Sequence, residues 1–323
     1  MGNLKSDKSQ LGGFLLVTLA VIVFSTIEVA SQHVQREQGL SVFDLSLLRF
    51  GIGGIVLGIA ALIRTGKKEM LSIIKSDGWR IALLGLIGTT ALSMFYQRSL
   101  MLTSSMIGGA IFSINPAIVA LLFLIARIDK PTLPRLLGVA LGVICVLVTN
   151  KGAKSHEPQF PDYFIGNLFA VGAVMAWSFY FFLVRDYIKK YSALAVSSIS
   201  LIGGSIGLLI VMPFVPLLGW GEAFTFYKIL TPFGWGLVLY LGIVTVGFGY
   251  YWLYRGLAKT GVSSGMMIFF IKPALVALLA HFLQRQPLSP WIWVGIILAS
   301  VSIITVGIDG TNLFRKKREW SNR

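Results

Sequence analysis

Three charged residues stand inside long apolar stretches of this chain: Glu28, Arg49 and Lys272. Lys272 lies about ten residues into a stretch long enough to cross a bilayer, so near its middle. A central lysine costs about 2.5–3.5 kcal/mol on insertion scales, so it needs a counter-charge, a carbonyl or a water-filled cavity. Pro273 follows it and lacks an N–H, which frees the carbonyl of Phe269 from its helix partner. The ammonium either leans on such a carbonyl or stands as a fixed cation for an anionic ligand. Asn115 precedes Pro116 in the same way, and Pro116 frees the carbonyl of Phe112. Asn115 brings donors and an acceptor rather than a charge. It satisfies local backbone or binds a ligand opposite Lys272.

At a rise of about 1.5 Å per residue, Glu28 and Arg49 reach similar depths, and Lys272 lies roughly 10 Å deeper. A structural Glu28–Arg49 pair is therefore expected, in preference to Glu28–Lys272. Aromatic and polar residues cluster nearby in the pattern, namely Phe24, Tyr96, Gln97, Trp177, Tyr180, Tyr240, Tyr250 and Tyr254. Trp177 and Tyr180 stand three apart and share a helical face, as the walls of a pocket would. Trp79, Trp235, Trp291 and Trp293 fall near the ends of apolar stretches, where interfacial aromatic belts form.

The elements that must hold these residues follow from composition. Of 323 residues 55% are hydrophobic and 13% charged, and mean hydropathy is +0.79. A soluble domain of this size could not hide that much apolar surface. One cysteine, Cys145, excludes a disulfide framework and a thiolate metal cluster. His33, His156 and His281 are dispersed, without zinc-type spacing. Neither a metal nor a cofactor is expected, nor enzymatic activity. Ten apolar stretches fit bilayer-spanning helices: 11–32, 42–63, 81–101, 104–125, 133–150, 163–184, 194–217, 233–254, 262–284 and 290–308. The first is read as structure rather than as a cleaved signal. With residue 1 on the cytoplasmic side, 20 of the 28 Lys and Arg fall on inner segments and six on outer ones. That bias predicts both ends inside and assigns the +15 net charge to the inner interface rather than to nucleic acid. Gly54/Gly58, Gly138/Gly142 and Gly203/Gly207 have the spacing that lets helices approach closely.

The chain also repeats itself. Residues 111–122 (IFSINPAIVALL) match 268–279 (IFFIKPALVALL) at nine of twelve positions, an offset of 157. The same offset pairs Arg98 with Arg255 and Gly138 with Gly295, and near 153 Gly13 meets Gly166 and Ser25 meets Ser178. The fold expected is an all-α integral membrane protein with ten transmembrane helices in two five-helix repeats. Five is odd, so the repeats are inverted, an architecture in which the ligand site lies near the midplane between halves. The divisions expected are a tail at 1–10, repeats at 11–150 and 163–308, an external connection at 151–162, and a basic tail at 309–323.

The Leu48-Arg49-Phe50 opening of the second span, the duplicated Pro116 and Pro273 segments, and the Gly138 and Gly295 helices carry a resemblance. The chain resembles the ten-span, EamA-type branch of the drug/metabolite transporter superfamily over about residues 10–308. The resemblance implies a cavity lined mainly by spans 1, 3, 4, 6, 8 and 9, with spans 5 and 10 peripheral. It implies alternating access by rocking of the halves and carriage of small metabolites, often outward. The substrate-binding residues expected are then Lys272, Asn115, Trp177, Tyr180, Tyr96, Gln97, Phe24 and Phe269. Coupling or gating falls to Glu28, Arg49, Pro116 and Pro273; burial favours a carboxyl group's protonated form, which opens a proton-coupling role to Glu28. The related sugar-phosphate carriers have a Lys-Arg pair where this chain has Lys272-Pro273, which points away from phosphate. The leading expectation is export of a small organic anion or zwitterion across the inner membrane, against the alternatives of cationic drug export and of a channel or lipid scramblase. The partners expected are the substrate, the bilayer and, as an option, a second copy of the chain.

Overall fold

Apolar side chains that would be out of place on a soluble protein cover the outside of this one. In the computed structural model, Leu11, Leu15, Leu19 and Ile22 are all exposed along one side of a helix whose other side buries Val17, Ala20, Val21 and Phe24. The structure describes residues 2–102, 111–128, 132–153, 162–228, 231–284 and 290–305, except 292, 296, 299 and 303. Among these no strand occurs. Ten apolar helices follow one another: α1 (Gln10–Ser31), α2 (Val42–Thr65), α3 (Lys67–Leu102), α4 (Asn115–Ile125), α5 (Leu133–Cys145), α6 (Phe164–Lys190), α7 (Ala193–Val211), α8 (Pro232–Thr260), α9 (Ser264–Leu283) and α10 (Trp293–Ser302). Seven of the ten, all but α4, α5 and α10, are long and apolar enough to cross a bilayer unaided. The expected ends of the fourth and tenth spans (104–110 and 306–308) lie outside the described residues, as do most of the 151–162 connection and the 309–323 tail.

The two halves interleave. Helix α1 packs along the second part of α8, and its repeat counterpart α6 packs along the last turns of α3. Helix α7 lies against α2 and α3, while α2 also lies against α8. Glycine permits the closest of these approaches. A Cβ on Gly85 would come within 2.0 Å of the Ser200 carbonyl, and one on Gly204 within 2.5 Å of the Gly85 carbonyl. In the other half-pair, a Cβ on Gly53 would fall 2.9 Å from the Gly242 carbonyl. Gly85 and Gly242 are 157 residues apart, so the repeat duplicates the contact. Helices α5 and α10 sit at the periphery and clip to each other: Cys145 Sγ donates to the Gly295 carbonyl at 3.1 Å and Ser302 Oγ to the Gly138 carbonyl at 2.6 Å.

Four departures from α geometry shape the centre. Helix α3 widens to π geometry at Leu86–Ala91, and α8 does so at Tyr240–Phe248. Shifting 86–91 by 157 gives 243–248, so the wide turns occupy the same register in both repeats. In α9 a 3-10 segment, Met267–Ile271, leads into Lys272-Pro273. Before Asn115-Pro116 the chain makes a turn at Ser113 and Ile114, with Ile114 N–H bonded to the Ile111 carbonyl at 3.0 Å. Each proline thus opens a fresh helix, where its missing N–H costs nothing.

Candidate functional site

A cavity lies where the halves meet. Phe24, Ile27 and Glu28 of α1 line it, with Arg49 and Phe50 of α2, Leu92, Ser93 and Tyr96 of α3, and Phe112 just ahead of α4. The second half contributes Trp177 of α6, Val246 and Tyr250 of α8, and Phe269 and Lys272 of α9. Its walls are aromatic and touch one another: Phe24 meets Tyr250 edge-on at 5.4 Å, Tyr250 meets Trp177 at 5.8 Å, and Tyr96 meets Phe112 at 5.1 Å. Such walls suit a flat or apolar body and strengthen the charges set among them by excluding water.

The charges differ from the sequence expectation. Lys272 Nζ donates to Glu28 Oε1 at 2.6 Å, and the two side chains are only 10% and 5% exposed. The expected Glu28–Arg49 pair is therefore corrected to Glu28–Lys272. Helix geometry explains the change. The helical path of α1 is interrupted at Ser25–Thr26 and then runs on to Gln38, six residues beyond the expected end of the span. Depth counted from residue 32 therefore misjudges which side chains α1 and α9 bring together. The pair joins the halves, since Glu28 belongs to α1 and Lys272 to α9.

Arg49 is buried, at 7% exposed, and its Nε has no hydrogen-bond partner among the described residues. Its guanidinium sits 4.7 Å from the Phe50 ring centroid, a cation–π contact. No ion pair joins Arg49 to a carboxylate among the described residues. Among the described residues, Ser93 Oγ and Trp177 Nε1 of the lining also lack partners. In all, the lining offers two cations, one carboxylate and several idle hydrogen-bonding groups.

Of the twelve residues expected to bind substrate or to couple and gate, Lys272, Phe24, Tyr96, Trp177, Phe269, Glu28 and Arg49 meet in this cavity. Five do not line it. Gln97 Nε2 donates to Ser46 Oγ at 2.7 Å and so ties α3 to α2. Asn115 Oδ1 accepts from Ser178 Oγ at 3.2 Å. The Tyr180 hydroxyl is engaged by Ser200 and Tyr254, and its ring packs on Gly88. Pro116 and Pro273 start their helices beside the cavity. The sequence reading passed over Ile27, Phe50, Leu92, Ser93, Phe112 and Val246, and left span 2 out of the lining. Two of these carried a signal: Phe112 is the repeat partner of Phe269, and Ser93 that of Tyr250, each at offset 157. Among the described residues no group of three His, Cys, Asp or Glu gathers to hold a metal.

Ten helices in inverted halves around a buried, charged central cavity define a membrane transporter by architecture. The model of the EamA-like transporter family matches residues 11–151 and again 164–308, and the chain belongs to that family. It is similar to the uncharacterized transporter YyaM of Bacillus subtilis, 24% identical with 80% of this chain and 81% of that one covered. It is also similar to an uncharacterized transporter of Clostridium kluyveri, 23% identical over 90% and 92% of the two chains. Among solved structures, one titled "Crystal structure of protein" shares the fold with a TM-score of 0.75, at 21% identity over 93% of this chain and 98% of its own.

Proposed function

We propose that the protein is a secondary carrier that moves a small organic anion or zwitterion, such as an amino-acid-like metabolite, by alternating access. One observation supports this above the rest: two buried cations face one carboxylate in a cavity built by both halves. A cationic cargo meets an excess of like charge there, which disfavours the drug-export alternative. The Lys and Arg bias supports an inner-membrane protein with both ends in the cytoplasm, and outward transport fits the family resemblance. Rocking of the halves about the interleaved contacts carries the cavity from one face to the other.

Counterflow in proteoliposomes tests this. Vesicles preloaded with a panel of organic acids and zwitterions are expected to take up labelled members of the panel saturably, and to stop when the preload is omitted. Flux that rises linearly with concentration and ignores the preload points instead to a channel. Exchange of amines alone overturns the anion reading.

A further inference from the structure

The sequence drew attention to Lys272 as the cation for the substrate, but the structure leaves that task to Arg49. The geometry points to Arg49 as the receptor of a single carboxylate on a substrate with one net negative charge, with the Glu28–Lys272 pair as a charge-neutral strut beside it. This rests on the carrier reading and names the substrate class of the same site.

Lys272 is already engaged with Glu28 at 2.6 Å. A substrate anion that bound Lys272 would have to take it from a buried partner. Arg49 has no such partner: it lies in the lining, buried, with Nε idle and an aromatic ring at 4.7 Å. Its planar fork matches a carboxylate in a way an ammonium does not. Idle groups on Ser93 and Trp177 serve the same anion or its polar substituents. The charges of Arg49, Lys272 and Glu28 leave the lining at +1. A monocarboxylate cancels this. A zwitterion leaves it standing, a cation doubles it, and a phosphate dianion reverses it. The aromatic walls of Phe24, Phe112 and Tyr250 accommodate an apolar body.

Four probes share one aryl body and differ in charge: phenylacetate, phenylalanine, phenethylamine and phenyl phosphate. Each is added to the full-length protein in detergent at pH 7.5, with the melting temperature and equilibrium dialysis as readouts. A ligand of the folded state raises the melting temperature by mass action. Phenylacetate is expected to bind tightest and phenethylamine weakest. Arg49→Gln is expected to weaken phenylacetate by about ten- to a hundredfold, as for loss of charge-assisted hydrogen bonds. Arg49→Lys, which keeps the charge but loses the fork, falls between and decides the matter if Arg49→Gln does not fold. The assignment is overturned if both Arg49 variants bind like the wild type. It is equally overturned if the zwitterion or the phosphate binds best, or if none of the four binds. In each of those cases the carrier reading stands or falls separately, on counterflow.

Discussion

Lys272 and Glu28 show how a residue legible in sequence can have an illegible partner. A lysine in the middle of an apolar stretch announces that something must meet its charge. What meets it depended on where α1 ends, and hydropathy alone placed that end six residues early, because residues 33–38 are polar yet helical. Removing one member of a buried ion pair strands the other, at a cost of about 3–5 kcal/mol, whereas removing both charges is close to neutral. Lys272→Gln and Glu28→Gln are thus each expected to lower the melting temperature sharply, with the Glu28→Gln/Lys272→Gln double variant recovering most of the loss. Equal, additive losses in a double-mutant cycle would show that the two side chains do not act as a pair. Asn115 marks the opposite failure. Its place in the repeat matched Lys272, but its Oδ1 accepts from Ser178, and no general rule of spacing foretells that hydrogen bond.

Helices α3 and α8 carry information that hydropathy does not contain. Ten apolar stretches, their order and the duplication were readable because bilayer thickness fixes helix length and because the Pro-centred segments kept their residues. The π turns were not readable, since a widened turn changes no residue's polarity. They matter because they set the register of Ser93 and Tyr96 after one turn, and of Tyr250 after the other. Beside them the packing has no slack. Gly85→Ala puts a methyl group 2.0 Å from the Ser200 carbonyl, a backbone atom that cannot swing aside. That substitution is expected to cost about 1–3 kcal/mol or more as overpacking. Gly51→Ala, also in a helix but with nothing within 4 Å of the new methyl, is expected to gain up to about 1 kcal/mol. Melting temperatures of the two variants separate contact from propensity; similar shifts would mean that the α3–α7 contact is looser than described.

Across the whole molecule, carboxylates fasten the halves together at both faces. At the face where α1 begins, Asp77 accepts from Lys190 Nζ at 2.7 Å and from the Tyr191 hydroxyl at 2.6 Å. At the opposite face, Asp44 accepts from Phe224 N–H at 2.9 Å and from Thr225 N–H and Oγ1 at 2.5 and 2.6 Å. Phe224 holds a φ of 60°, a left-handed conformation that a non-glycine residue keeps only when its surroundings hold it there. The fastenings differ in kind: Lys190 is 60% exposed, whereas Asp44 is fully buried and bound by neutral donors. Salt is therefore expected to loosen the first and spare the second. With a single cysteine at Ser93 and Cys145→Ser, Asp44→Asn is expected to raise labelling by an impermeant thiol reagent from its own face by about tenfold, as for loss of about 1.4 kcal/mol. Asp77→Asn is expected to do so from the other face. Labelling that rises from both faces together would mean general loosening rather than release of one side. The matched registers of the two wide turns have a historical consequence. What both copies share at one register was present in the five-helix ancestor before it doubled. What one copy alone holds was gained or lost afterwards. Glu28 and Lys272 belong to the second group, because their counterparts in the repeat are Phe181 and Asn115. The wide turns are thus the shared inheritance and the charges are what set the copies apart, so relatives carrying other cargo are expected to keep Gly85 and Gly242 while differing at 28 and 272.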